Sequence, residues 1–344
     1  MKAIIYFATS VALLVTGCSK PGTAPEQEQF DRYIFFSPKV ETKASLIESP
    51  SSLGQIGVVG FKYDNTNTWS AYKTDATPNV FYDDSNAPVN TETVKCDEGG
   101  YGSYTPLQGW ANSKKYTFFA YYPLAEDVVL VNLDGTDYTG GVPAIRYTWA
   151  ADSMADVMIA ASEEDLYWNS ATDNNLESTE VGVTFKHCLA GLGVNVMNAS
   201  SGDVTVTSVD LNLKGISNQK IIIPLDGTEA TASGTAMDAG FALALPEAGE
   251  SIVRNDEKEL SDKLIFIPQS SNLSIEVVVS YTREATGGHA AYSDSVTLPA
   301  VTSALTAGKK HLVNIKFTDS TVEVGGTVYT EGWVPVEDVY DTFN

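Results

Sequence analysis

Apolar and polar residues alternate along most of this chain. Val209, Leu211 and Leu213 alternate with Ser208, Asp210 and Asn212. Ile275, Val277, Val279 and Tyr281 alternate with Ser274, Glu276, Val278 and Ser280, and Val313, Ile315 and Phe317 with Asn314, Lys316 and Thr318. A period of two predicts strands buried on one face. Turn-forming clusters separate the runs, at Asp134-Gly135, Gly140-Gly141, Asp226-Gly227, Gly287-Gly288 and Gly325-Gly326. No segment sustains an apolar period of 3.6. One short helix is expected over residues 160–168, with Ser162 as N-cap ahead of Glu163, Glu164 and Asp165. Many short strands between frequent turns predict an all-β protein of β-sandwich type with at most short helices.

A chain of 344 residues exceeds the roughly 250–300 at which one core stops growing, so two domains are expected. The polar, acidic stretch at residues 169–180 (NSATDNNLESTE) interrupts the strand pattern. The expected division is therefore an N-terminal domain over 44–178 and a C-terminal domain over 179–344. No internal repeat stands out.

The first residues follow a different rule. Lys2 precedes a mostly apolar run from Ala3 to Val15, then Thr16-Gly17-Cys18. A positive start, a short apolar core and small residues at the end make a secretory signal over residues 1–17. The run is shorter than the about 20 residues a membrane-spanning helix needs. Leu14-Val15-Thr16-Gly17-Cys18 resembles the bacterial lipobox, in which the cysteine thiol carries a diacylglyceryl group as a thioether. Residues 19–29 are polar, contain Pro and Gly, and show no apolar period, which reads as a tether. The mature chain is expected to start at Cys18 and to hang from a membrane, two or three acyl chains giving stable anchoring.

Composition narrows the function. With 43% hydrophobic and 19% charged residues the chain is globular. Its 44 acidic against 21 basic residues give a charge of −23, which excludes binding to a phosphate backbone and so nucleic acid as a partner. Three His and three Cys leave little for a zinc site. Cys96 and Cys188 remain after Cys18 is lipidated, in an oxidising compartment where they either pair or stay free. Cys188 lies in an apolar run that favours a buried free thiol.

Local motifs for catalysis are missing. His187 and Cys188 are strand neighbours and point to opposite faces, so a satisfied core histidine is expected there. His289 follows Gly287-Gly288 in a turn and His311 opens a strand, neither in a metal-ligand spacing. Glu163-Glu164-Asp165, Asp83-Asp84 and Asp173 are the candidates for paired carboxylates, yet adjacency is ordinary among 44 acids and a solvated face is the simpler reading. Asp64-Asn65-Thr66-Asn67 and Asp134-Gly135-Thr136-Asp137 lack the ligand register of a calcium loop. No nucleophile elbow, phosphate-binding loop or dinucleotide fingerprint occurs. The chain is read as a non-enzyme without metal or cofactor. Aromatic runs such as residues 116–122 (YTFFAYY), with Trp110, keep a glycan-stacking surface in view, although strands favour aromatics in any case.

The two ends carry the functional reading. Residues 32–40 (RYIFFSPKV) form an aromatic-rich strand directly after the tether, followed by Glu41-Thr42-Lys43-Ala44. A trypsin-like protease can cut an exposed Lys–Ala bond there without unfolding a domain. At the other end, Trp333, Val334, Val336, Val339 and Tyr340 give the last residues an extended, apolar character suited to pairing with a sheet. In this order of features the chain resembles the fimbrillins, the type V pilins of Gram-negative gut and oral bacteria. The resemblance rests on the lipobox at Cys18, the strand before Thr42-Lys43-Ala44, and residues 110–123 (WANSKKYTFFAYYP). It continues through Asp156-Val157-Met158-Ile159-Ala160, Phe185-Lys186-His187-Cys188-Leu189-Ala190, Ala307-Gly308-Lys309 and Gly332-Trp333-Val334.

The resemblance implies two tandem transthyretin-like, Greek-key β-sandwich domains and export as a lipoprotein to the cell outer membrane. A surface trypsin-like protease then removes residues 18–43, and the subunit polymerises with other fimbrial subunits by accepting a strand from a neighbour. The family cut follows Arg before Ala; here the matching bond is Lys43–Ala44, with Arg32 as the alternative. Residues 333–343 are the candidate donor strand, an ordinary closing strand being the other reading. Stalk, tip and anchor roles all remain open. The rival from another class is an outer-membrane glycan-binding lipoprotein of a polysaccharide-uptake system. Charge sharpens the scheme. Loss of Lys2 takes −23 to −24, and residues 18–43 carry four positive and four negative side chains, so the acidity belongs to the folded part. Like charge keeps fibres soluble and apart, leaving apolar strand insertion as the joining force.

Overall fold

The computed structural model describes residues 32–40, 50–168, 180–283 and 292–328. The first half contains β1 (Phe35–Val40), α1 (Pro50–Leu53), β2 (Gln55–Asp64), α2 (Trp69–Tyr72), β3 (Glu92–Cys96), β4 (Gly102–Ser103), β5 (Lys114–Tyr122), β6 (Val128–Val131), β7 (Ala144–Thr148) and β8 (Met158–Ala161). The second contains β9 (Glu180–His187), β10 (Ala190–Asn198), β11 (Val204–Ile216), β12 (Lys220–Pro224), β13 (Thr231–Ser233), β14 (Met237–Ala242), β15 (Glu250–Ile252), β16 (Glu257–Phe266), β17 (Gln269–Arg283), β18 (Tyr292–Leu305), β19 (Lys310–Phe317) and β20 (Val322–Val328). The all-β expectation agrees with this element list.

Seven strands close a barrel in the order β1-β4-β3-β2-β5-β8-β9. Closure depends on β1, which pairs in parallel with β9 and antiparallel with β4. Ile34, Phe36, Val58, Val94, Phe118 and Val183 fill the interior. The central pair, β2 and β5, is buried on both faces. Val58 and Phe118 point into the barrel, whereas Val59, Phe61, Phe119 and Tyr121 point into a second core. Their sequences are for that reason nearly continuous apolar runs and lack the alternation seen elsewhere.

The second core is shared by three further sheets, ordered β16-β10-β19-β20, β14-β11-β17-β18 (with β15 also on β11) and β13-β12-β7-β6. Tyr281 of β17 meets Phe317 of β19 edge-on at 4.8 Å, joining the first two of these. The third mixes β6 and β7 with β12 and β13 from the second half of the chain. The expected division near residue 178 falls outside the described residues. A unit built only from the strands before it would lack β9, which closes the barrel.

The helix expected over residues 160–168 does not form. β8 runs to Ala161, and the chain then loops so that Leu166 bridges Tyr116. Ser162 Oγ accepts the Phe118 N–H at 3.0 Å instead of capping a helix. Asp165 sits at φ 60°, a conformation open to Asp but costly for most residues. Its carboxylate accepts the Tyr63 hydroxyl at 2.7 Å and the Trp69 N–H at 2.8 Å. Tertiary hydrogen bonds outcompete the local cap.

Candidate functional site

The first strand and its seat in the barrel form the candidate site. Alternation along residues 33–40 places Ile34, Phe36, Pro38 and Val40 inward and Tyr33, Phe35 and Lys39 outward. Six consecutive residues, Phe35 to Val40, pair in register with Glu180 to Phe185 of β9. On the other side β1 meets β4 at a single pair, Phe36 with Gly102. Pro38 lies inside the strand and donates no ladder hydrogen bond. β1 is thus held chiefly by one neighbouring strand and by its inward side chains.

Phe36 is fully buried in an aromatic cage. Its ring lies 5.3 Å from Phe118, 5.9 Å from Tyr104 and 6.3 Å from Phe81, the first edge-on. A glycine at 102 is what lets Phe36 enter, because a Cβ there would stand 2.6 Å from Val94 Cγ1 and 3.1 Å from Phe36 Cβ. The Tyr104 hydroxyl donates to the Ile34 carbonyl at 3.0 Å, and burial raises its pKa above the ordinary tyrosine value. Upstream of the strand, Tyr33 bridges Gly109 and the Ile34 N–H donates to Gln108 O at 2.8 Å.

Of the residues singled out for processing and assembly, Arg32 is described. Its carbonyl accepts the Trp110 N–H at 3.0 Å and its guanidinium lies 4.5 Å from the Trp168 ring centroid, a cation–π contact. Cys18, Lys43, Ala44, Trp333, Val334, Val336, Val339 and Tyr340 lie outside the described residues. Gly102, Tyr104, Phe81 and Trp168, which build the seat, carry no local signal in the sequence. Only pairing across long stretches of chain brings them to β1.

Other candidates resolve into structural roles. Trp110 is 2% exposed and packs edge-on against Tyr116 at 4.8 Å, inside the barrel. Tyr116, Phe118, Phe119 and Tyr121 are buried too, so these aromatics are core, as their strand propensity suggested, and form no stacking surface. His187 Nδ1 lies 2.9 Å from Asp156 Oδ1, with both side chains buried. His311 Nε2 accepts the Thr306 N–H at 3.0 Å, and burial first, then the charge of Lys309, pushes its pKa down to about 4. His289 and Asp173 lie outside the described residues. Cys96 and Cys188 are free thiols, pushed up to about 11 and about 12, in both cases mainly by burial. The Ser85 hydroxyl and the Ala87 N–H hold Asp83 below the usual carboxylate range, and Asp134 is lowered likewise by Thr136. Both acids close their own turns. Among the described residues no three His, Cys, Asp or Glu side chains gather to hold a metal.

Comparison with known proteins follows the same line. No curated protein sequence matches the chain. The structure resembles a fimbrial protein from Bacteroides vulgatus with a TM-score of 0.58 at 18% identity, over 88% of this chain and 100% of that one. At that identity the likeness is one of fold. The fimbrial anchor protein Mfa2 from Porphyromonas gingivalis matches with a TM-score of 0.36 at 12% identity, over 88% of this chain and 98% of that one. The family model described as fimbrillin-like matches residues 53–333, well over half of the sequence, and the chain belongs to the fimbrillin-like family.

Proposed function

We propose that this protein is a subunit of a surface fimbria, assembled by exchange of its first strand and supporting adhesion. The observation that carries the reading is the seat of β1. The first of the described strands closes a barrel through one full ladder, one further pair and a few buried side chains. Losing it would expose unpaired N–H and C=O groups on β9 and β4, an edge that accepts another strand. The vacated seat would take an incoming strand whose side chains replace Ile34, Phe36 and Val40. At ~1.5–3 kcal/mol each, those three side chains would supply roughly 5–9 kcal/mol before entropic costs. The proposed donor is residues 333–343 of a neighbouring subunit, and the proposed fold is two tandem transthyretin-like units.

Processing is proposed at Lys43–Ala44, by a trypsin-like protease, on a precursor anchored through lipid on Cys18. Cleavage after Arg32 would free the chain from the membrane but leave all of β1 in place. The Arg32 carbonyl is also engaged by Trp110, and its side chain lies over Trp168. The two cuts therefore differ in outcome, and N-terminal sequencing of subunits from sheared surface fibres separates them. Subunits beginning at Ala44 support strand exchange. Subunits beginning at Cys18 or at Tyr33 retain β1 and sink it.

A further inference from the structure

We propose that the outward face of β1, with the loop beside it, lies against the lipid headgroups of the outer membrane while the precursor is anchored. The inference rests on the anchoring through Cys18 proposed above. Tyr33, Phe35, Tyr101 and Leu107 are 46%, 38%, 54% and 39% exposed. They form one group. Tyr33 and Phe35 are on the outward side of β1, the Tyr33–Gly109 bridge brings Leu107 within two residues, and the Phe36–Gly102 pair sets Tyr101 beside Ser37. The other large exposed apolar residues among those described are Met237 in β14 and Leu124, Leu133 and Val253 in separate connections, single positions that are ordinary for a protein surface.

The position of the chain's lipid end selects a membrane as the occupant. Thirteen residues separate Cys18 from Arg32, and even fully extended they reach no more than about 50 Å. The stripe starts one residue after that segment, so it is the first described surface beyond the anchor. Tyrosine rings suit the membrane interface because an apolar body carries a polar tip. Exposed Lys39, on the same side of β1, supplies a cation for phosphate headgroups, with Glu180 the acid beside Phe35 and Asp97 the acid beside Tyr101. The lipid supplies the affinity and the stripe sets the orientation. Cleavage at Lys43 would carry away Tyr33 and Phe35 together with Cys18, so anchor, plug strand and half of the membrane contact would leave as one piece.

Hydrogen exchange read by mass spectrometry tests this on the full lipidated chain in nanodiscs of phosphatidylethanolamine and phosphatidylglycerol, against the lipid-free chain in buffer. Amides of residues 101–107 should exchange about fivefold or more slowly in the discs, while those of 237–242 stay unchanged. Replacing Tyr101→Ser and Leu107→Ser together, both exposed and so compatible with folding, should abolish that protection without releasing the lipid anchor. No protection on protein whose intact mass includes the lipid on Cys18 would overturn the orientation and leave strand exchange standing. Protection of residues 101–107 that grows with protein concentration in the lipid-free chain would assign the stripe to contacts between copies and overturn it as well. An intact mass without lipid on Cys18 would remove the anchoring proposal and this inference together.

Discussion

Replacing Phe36 by Ala should loosen β1 without loosening the rest of the molecule. The ring is fully buried and bounded by Phe81, Tyr104 and Phe118, aromatic neighbours that cannot readily collapse into the space it leaves. Removing a buried phenyl ring costs about 3–5 kcal/mol. At 1.4 kcal/mol per tenfold change, this is a gain of roughly 100- to 4,000-fold in the population with β1 detached. Hydrogen exchange on the intact chain reads it directly, because amides in the β1–β9 ladder exchange through that opening. They should accelerate by about that factor, while peptides from β11 and β17, in the other core, keep their rates. Phe35→Ala, one residue away but 38% exposed, is the control and should change the ladder by less than about tenfold. If Phe36→Ala speeds exchange equally in β1, β11 and β17, the first strand is not a separable unit and the strand-exchange argument collapses. If it speeds none of them, the aromatic cage is not what holds the strand.

Other outcomes follow from single side chains. Gly102→Ala forces a Cβ to 2.6 Å from Val94 and should cost about 1–3 kcal/mol, seen as a lower Tm and easier release of β1. Asp165→Ala strands the Trp69 N–H, leaves the Tyr63 hydroxyl with Thr117 Oγ1 alone and puts Ala at φ 60°, so urea unfolding should show a loss of about 2–4 kcal/mol. His311 is held neutral in the fold, with its pKa down at about 4 against an ordinary 6.5. Its contribution is complete above pH 6.5 and falls as pH drops toward 4, where the unfolded chain takes a proton that the folded one refuses. The stability-against-pH curve of His311→Gln should therefore be flatter than wild type in that window, and parallel curves would refute the assignment. With thiols pushed up to about 11 and about 12, Cys96 and Cys188 should react with iodoacetamide at pH 8 more than about 100-fold slower than free cysteine. Urea should restore the ordinary rate, and fast labelling of the folded protein would count against both values.

The strand content was legible in the sequence because a half-buried strand leaves its period in the side chains. β11, β17 and β19 have one face in the core, and their alternation is direct. The aromatic strand at residues 33–40 could be read for the same reason. The burial of Trp110 and the 116–122 run could not, since a continuous aromatic stretch suits a doubly buried strand and a stacking surface alike. The short helix failed because Ser162 and Asp165 found partners at Phe118, Tyr63 and Trp69, far away along the chain.

By itself, then, the sequence determined strand-forming periodicity, an acidic charge balance and the aromatic strand at residues 33–40. These are local or additive properties, set by neighbouring residues or by simple sums. Tertiary structure alone decided that β1 closes a barrel against β9, about 145 residues further on, and that Gly102 opens the place for Phe36. It also decided which of two adjacent phenylalanines is the anchor. Inside and outside are defined only once the second strand is in place, and pairing register, which no local pattern encodes, fixes which face each side chain takes.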